Sequence, residues 1–154
     1  MLKYLNTQVT FSEVPDEITL CINITGCKIG CKNCHSPYLA EDIGNKLNSD
    51  SIKELISNNK GITCVSFMGG DSSPSKIDAL AQWVKINYPI KVAWYSGRQE
   101  LSKDIDLKNF DAIKLGPYIE ELGPLNSKTT KQRFYKIEEN KLIDITNLFW
   151  KGND

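Results

Sequence analysis

Three of the chain's five cysteines, Cys27, Cys31 and Cys34, stand within eight residues, and its only histidine, His35, follows directly in the run GCKIGCKNCH. The C-x3-C-x2-C spacing lets three sulfurs on one loop turn toward a common centre. Four readings fit such a set. One is a chance cluster in a structural loop. A second is zinc, which would take Cys27, Cys31, Cys34 and His35 as a tetrahedral Cys3His set. Zinc ligands more naturally come as pairs from separate hairpins, however, and a histidine adjacent to a ligand cysteine is awkwardly placed to close the same tetrahedron. A third is haem, because Cys31-Lys32-Asn33-Cys34-His35 fits the C-x-x-C-H attachment pattern. That chemistry goes with export and leaves Cys27 without a task. The fourth is an iron-sulfur cube. A 4Fe-4S cluster normally takes four cysteines, so three would leave one iron open to a ligand that is not protein.

The elements that must position this loop alternate in type. Residues 18–25, ITLCINIT, are β-branched and apolar enough for a buried strand. Residues 49–58 read as a helix with Ile52, Leu55 and Ile56 on one face, and residues 62–68 as a strand running into Gly69-Gly70-Asp71. A second helix over 75–88 aligns Ile77, Leu80, Ala81, Val84 and Tyr88, and Pro89 stops it. Residues 90–95 form the next strand, ending in Ser96-Gly97. A weak helix over 99–105 and a strand over 110–115 follow. Strand and helix in alternation predict an α/β fold with a parallel sheet and right-handed crossovers. Sites in such sheets gather beyond the carboxyl ends of the strands. Cys21 and Cys64 fall within core strands and are expected to be small buried groups.

Composition narrows the function classes. With 154 residues and 40% apolar content, the chain is expected to form one domain over 1–154, with 116–154 as a tail extension. Lys plus Arg and Asp plus Glu both number 19, so no basic excess invites nucleic acid as a partner. No apolar run approaches the length of a membrane span, about 18 residues, and MLKYLNTQVTFSEV lacks the layout of a signal peptide. The expectation is a cytoplasmic protein without a membrane partner. In a reducing compartment, five cysteines suggest metal or redox chemistry before disulfides.

The cysteine loop after the first strand resembles that of the radical S-adenosylmethionine superfamily. More closely, GCKIGCKNCHSPY, Gly69-Gly70-Asp71, the VAWYSGR strand end and the short length are similar to the activating enzymes of anaerobic (class III) ribonucleotide reductases. The late segment GPLNSKTTKQRFYKI resembles that family's tail, so the likeness covers nearly the whole chain. It implies a partial, open-sided β/α barrel and a 4Fe-4S cluster held by Cys27, Cys31 and Cys34, with one open iron chelated by the methionine end of S-adenosyl-L-methionine. By the same resemblance, Gly69 and Gly70 would let backbone approach the cofactor and offer carbonyls to its ammonium, and Asp71 would supply charge. Ser96 would bond its ribose or carboxylate, and Lys114 would reach the same mouth. No side chain beyond cluster and cofactor would be catalytic. The implied partners are a large glycyl radical protein, the anaerobic reductase, and a low-potential electron donor such as flavodoxin or ferredoxin.

Two positions depart from the pattern. Asn33 stands where many superfamily members carry an aromatic residue, and residues 11–17, FSEVPDE, replace a glycine-rich stretch before the first strand. Other readings are activation of a different, formate-lyase-like glycyl radical enzyme, a small-molecule radical enzyme, and an electron-carrier or haem module without enzymatic activity. Taken singly, residues 68–74 also read as a turn and helix cap, Ser96 as a turn serine and Lys114 as a solvated strand end.

Overall fold

The computed structural model describes residues 2–11, 13–25, 44–117 and 119–150. Four strands form the centre: β2 (Thr19–Ile24), β4 (Cys64–Met68), β5 (Lys91–Tyr95) and β6 (Ala112–Leu115), paired parallel in that order. Strands joined in parallel need a crossover. Helices α1 (Ser49–Asn58) and α2 (Pro74–Asn87) provide two of them. Asn48 caps α1 reciprocally: the Ser51 N–H donates to Asn48 Oδ1 at 2.9 Å and the Asn48 N–H to Ser51 Oγ at 2.8 Å. Pro74 opens α2 at its first turn, where a missing N–H costs nothing, and the helix ends two residues before Pro89.

The sheet is mixed, which corrects the expectation of purely parallel strands. Strands β1 (Lys3–Thr10), β3 (Asn45–Lys46), β7 (Arg133–Glu138) and β8 (Lys141–Asp144) extend it antiparallel on both sides. The order is β3-β1-β2-β4-β5-β6-β7-β8. A tight turn sets the last of these pairings. β7 and β8 are joined by Glu139 and Asn140 alone, both at positive φ (51° and 60°), the backbone of a two-residue hairpin turn. Residues 116–150 thus include two strands laid beside β6. No helix forms over 99–105; the regular element is a 3-10 turn at Leu107–Asn109, capped by the Asp106 side chain. Ser102 and Asp78 compete for the local backbone there: the Asp104 N–H donates to Ser102 Oγ and the Asp106 N–H to Asp78 Oδ1.

Alternation along the central strands divides the core. Leu20, Ile22, Ile24, Val65, Phe67, Val92, Trp94, Ile113 and Leu115 pack with Ile52 of α1 and Ile77, Ala81 and Val84 of α2, so both helices cover one face. Cys64, Ala93, Ala112 and Phe134 face the other way, against Val14, Leu125, Ile145 and Phe149. Burial on both faces explains why β2 and β4 read as continuous apolar runs. Among the described residues, no helix is long and apolar enough to cross a membrane.

Cys21 and Cys64 are 2% and 0% exposed, as expected of small core groups. Burial pushes their thiols from 9.0 up to about 11 and about 12. Unfolding would return them to their ordinary value. Their contribution to stability is therefore complete below about pH 9 and is lost as the pH rises toward the folded values. Thermal unfolding of the apoprotein should show Tm falling above about pH 9, and Cys64→Ala should make that decline shallower. Parallel declines in the two proteins would remove the Cys64 thiol as a source.

Candidate functional site

The parallel register brings the carboxyl ends of four strands to one edge. Asn23, Met68, Tyr95 and Lys114 lie in one row across β2, β4, β5 and β6. Just beyond it the chain turns out at Thr25, Gly69, Ser96 and Gly116. Backbone bonds continue the ladder past the strands: Gly69 N–H donates to Tyr95 O at 3.0 Å, Ser96 N–H to Lys114 O at 2.9 Å, and Gly116 N–H to Arg98 O at 2.7 Å.

Gly69 and Gly70 both sit at positive φ (107° and 89°), which side-chain-bearing residues rarely adopt. The Gly69 carbonyl accepts from Trp94 Nε1 at 2.6 Å, and the Gly70 carbonyl from the Ser73 N–H at 3.0 Å. A carbonyl has two lone pairs, so each keeps one. The space kept clear at Gly70 lies on the helix-covered side: a Cβ there would stand 2.6 Å from Ile77 Cδ1 and 2.9 Å from Ile77 Cγ1.

Asp71 is 3% exposed, and its carboxylate turns onto the Ser-Gly-Arg segment after β5. It accepts from Ser96 Oγ at 2.5 Å and from the Gly97 N–H at 3.0 Å, with Arg98 Nε 4.0 Å away. Arg98 Nη2 donates to the Asp71 carbonyl at 3.0 Å, and the Arg98 N–H donates to Ser96 Oγ at 3.1 Å. The Ser96 hydroxyl therefore gives its proton to Asp71 and accepts from Arg98. Gly69, Gly70, Asp71 and Ser96 are brought into one connected group.

Lys114 joins this group through its backbone. Its side chain, 7% exposed in the residue as a whole, donates from Nζ to Gly116 O at 3.0 Å and lies 5.7 Å from the centre of the Tyr95 ring. Burial raises the Tyr95 phenol well above its ordinary range, so it remains a donor, to the Glu13 carbonyl. Arg98 and Tyr95 are not among the sequence-predicted site residues, and spacing does not decide whether Trp94 is a site wall or core. Arg98 was within reach, because an arginine three residues past a strand that ends beside Gly-Gly-Asp can meet that aspartate. Nothing local distinguished the Trp94 indole from an ordinary core ring.

Cys27, Cys31, Cys34 and His35 lie outside the described residues. Iron-sulfur clusters take thiolates, and Cys21 and Cys64 are buried thiols with raised pKa values inside β2 and β4. Among the described residues, no group of three or more His, Cys, Asp or Glu could hold a metal ion. The remaining cysteines belong to residues 26–43, which follow Thr25 at the carboxyl end of β2. Their donor chemistry suits a cube.

Gly70→Ala should destabilise the apoprotein by about 2 kcal/mol, combining positive-φ strain with the Ile77 clash. That corresponds to a fall of roughly 4–8 °C in Tm. A Tm equal to wild type would show that the turn accepts a side chain.

A family model described as a 4Fe-4S single cluster domain matches residues 18–138, well over half of the chain. No curated protein and no solved structure matches. The matched span runs from the start of β2 to the end of β7 and includes all three clustered cysteines. The chain belongs to the 4Fe-4S single cluster domain family and is an iron-sulfur protein.

Proposed function

We propose that this protein is a radical S-adenosylmethionine enzyme that installs a glycyl radical on an anaerobic ribonucleotide reductase. The observation that carries the reading is a coincidence of place. A C-x3-C-x2-C run leaves the end of the first central parallel strand, while Gly-Gly-Asp and Ser-Gly-Arg are locked together at the ends of the next two. In this reading Cys27, Cys31 and Cys34 hold the cluster. When bound, it supplies an open iron for the methionine end of S-adenosylmethionine and the electron that splits this cofactor into methionine and a 5'-deoxyadenosyl radical.

The chain's own residues bind and orient. The free lone pairs of the Gly69 and Gly70 carbonyls would accept from the cofactor's ammonium. Lys114, whose Nζ donates to the Gly116 carbonyl, would bring its positive charge to an anionic group at the same edge. The sheet is open: among the described residues no pairing joins β3 to β8. An open side suits a large partner that presents a loop. The radical would take a hydrogen atom from the α carbon of one partner glycine, giving 5'-deoxyadenosine and a glycyl radical delocalised over the flanking amides. A low-potential carrier such as flavodoxin or ferredoxin would replace the electron.

Two measurements test this. Cys27→Ala, Cys31→Ala and Cys34→Ala should each lose bound iron, about four per chain in wild type, whereas Cys21→Ala and Cys64→Ala should keep it. A full complement of iron in any of the first three would displace the ligand assignment. Incubated anaerobically with S-adenosylmethionine, a strong reductant and the anaerobic reductase of the same cell, the protein should yield 5'-deoxyadenosine, methionine and a doublet EPR signal on the partner. Cofactor cleavage without a partner radical would point to another substrate. A reducible cluster that cleaves no cofactor would point to an electron carrier.

A further inference from the structure

Asp71 is an unusual group to find at a turn. Desolvating a carboxylate costs several kcal/mol unless it is fully matched, and a turn and helix start can be built from neutral residues alone. Here the carboxylate is matched by groups from a different strand end: Ser96 Oγ, the Gly97 N–H and the Arg98 guanidinium. Arg98 closes the ring by donating to the Asp71 carbonyl. The next strand end is tied in by Ser96 N–H to Lys114 O and Gly116 N–H to Arg98 O. Three strand ends are thereby held as one body. Immediately upstream of Asp71, Trp94 Nε1 and the Tyr95 carbonyl fix Gly69 from within the sheet.

We propose that Asp71 and Arg98 are positioning residues. Neither contacts the cofactor; together they hold the Gly69-Gly70 backbone at the distance from β5 and β6 that cofactor binding requires. This rests on the reading of the protein as an S-adenosylmethionine enzyme. The Asp71 oxygens already accept from Ser96 Oγ and the Gly97 N–H, with Arg98 Nε 4.0 Å away, so the carboxylate is placed to act through the backbone it fixes. A guanidinium suits the closing role because its planar fork donates to the Asp71 carbonyl at 3.0 Å while its charge stays 4.0 Å from the carboxylate, a fixed geometry that an ammonium on a flexible stem does not provide.

The test uses the full-length, cluster-loaded protein under anaerobic conditions and reads two quantities. Amide hydrogen exchange at Gly97, Arg98 and Gly116, measured without cofactor, reports whether the strand ends are coupled. S-adenosylmethionine affinity, measured by perturbation of the reduced cluster's EPR signal, reports positioning. Asp71→Ala should accelerate exchange at Gly97 and Gly116 by about tenfold or more, since a buried N–H loses a charged acceptor. It should also weaken cofactor binding by about tenfold, with iron content and core exchange in β4 and β5 unchanged. Asp71→Asn, which keeps one acceptor oxygen, should recover part of both losses, and Arg98→Lys should lose affinity without losing iron. If Asp71→Ala does not fold, Ser96→Ala carries the exchange test at the Arg98 amide, whose acceptor it removes. Wild-type exchange in these variants would show that the strand ends are not coupled through Asp71. Faster exchange with unchanged affinity would make the network purely structural and overturn the positioning role. A wild-type protein that binds no S-adenosylmethionine would instead overturn the enzymatic reading, and the role with it; the wild-type control separates that outcome from the others.

Discussion

Parallel pairing of β2, β4, β5 and β6 is the constraint from which the rest of the molecule follows. Two parallel neighbours cannot be joined by a tight turn, so every strand must leave at one edge and return at the other. All carboxyl-end turns therefore meet along a single line. In this chain that line collects the exit toward the clustered cysteines, the Gly-Gly-Asp turn, the Ser-Gly-Arg segment and Gly116. No residue there needed to be near another in sequence. Asp71 and Gly97 are bonded across 26 positions because Met68 and Tyr95 are register partners.

An edge made of turns carries many polar backbone groups close to a dry core, and each must find a partner. The solutions here are side chains that cross from one strand end to the next. Trp94 is fully buried among apolar residues on the helix-covered face, yet spends its one donor on the Gly69 carbonyl. Tyr95, on the opposite face, sends its hydroxyl to Glu13 and so ties the segment before β2 to β5. Such crossings make the edge stiff without a hydrophobic cluster of its own. They also fix the two glycines, whose carbonyls accept from Trp94 Nε1 and the Ser73 N–H.

How much of this was legible depended on whether a signal was local. The strands at 18–25, 62–68 and 90–95 and the helices α1 and α2 could be read because apolar periodicity and capping residues sit within each segment. Strands β1, β7 and β8 could not be read the same way. Their residues are mostly half-buried or exposed, so the alternation that marks a half-buried strand is weak. The Glu139-Asn140 turn was a usable cue, since asparagine tolerates left-handed backbone, but it lacks the glycine that makes such turns conspicuous. At the site, the residue types of Gly69, Gly70, Asp71 and Ser96 were visible in sequence, whereas their mutual bonding was not. Asp71 reads from sequence as a charge beside a turn, and only register places the Gly97 N–H against it.

The two faces of the sheet differ in a way that restricts approach to the edge. The helix-covered face is closed along its whole length by Ile52, Ile77, Ala81 and Val84. The other face is covered in its lower rows, where Val14, Leu125, Ile145 and Phe149 pack over Cys64, Ala93 and Ala112. The Trp150 indole, donating to the Leu125 carbonyl at 3.2 Å, fastens the end of that cover to its beginning. Above those rows on this second face lies the row of Asn23, Met68, Tyr95 and Lys114, in which Tyr95 packs on Phe134 and Lys114 is itself buried. This row lies at the carboxyl edge of the sheet, where residues 26–43 follow β2. The chain after β6 thus contributes two strands that widen the sheet and the side chains of Leu125, Phe134, Ile145 and Phe149 that pack on its second face.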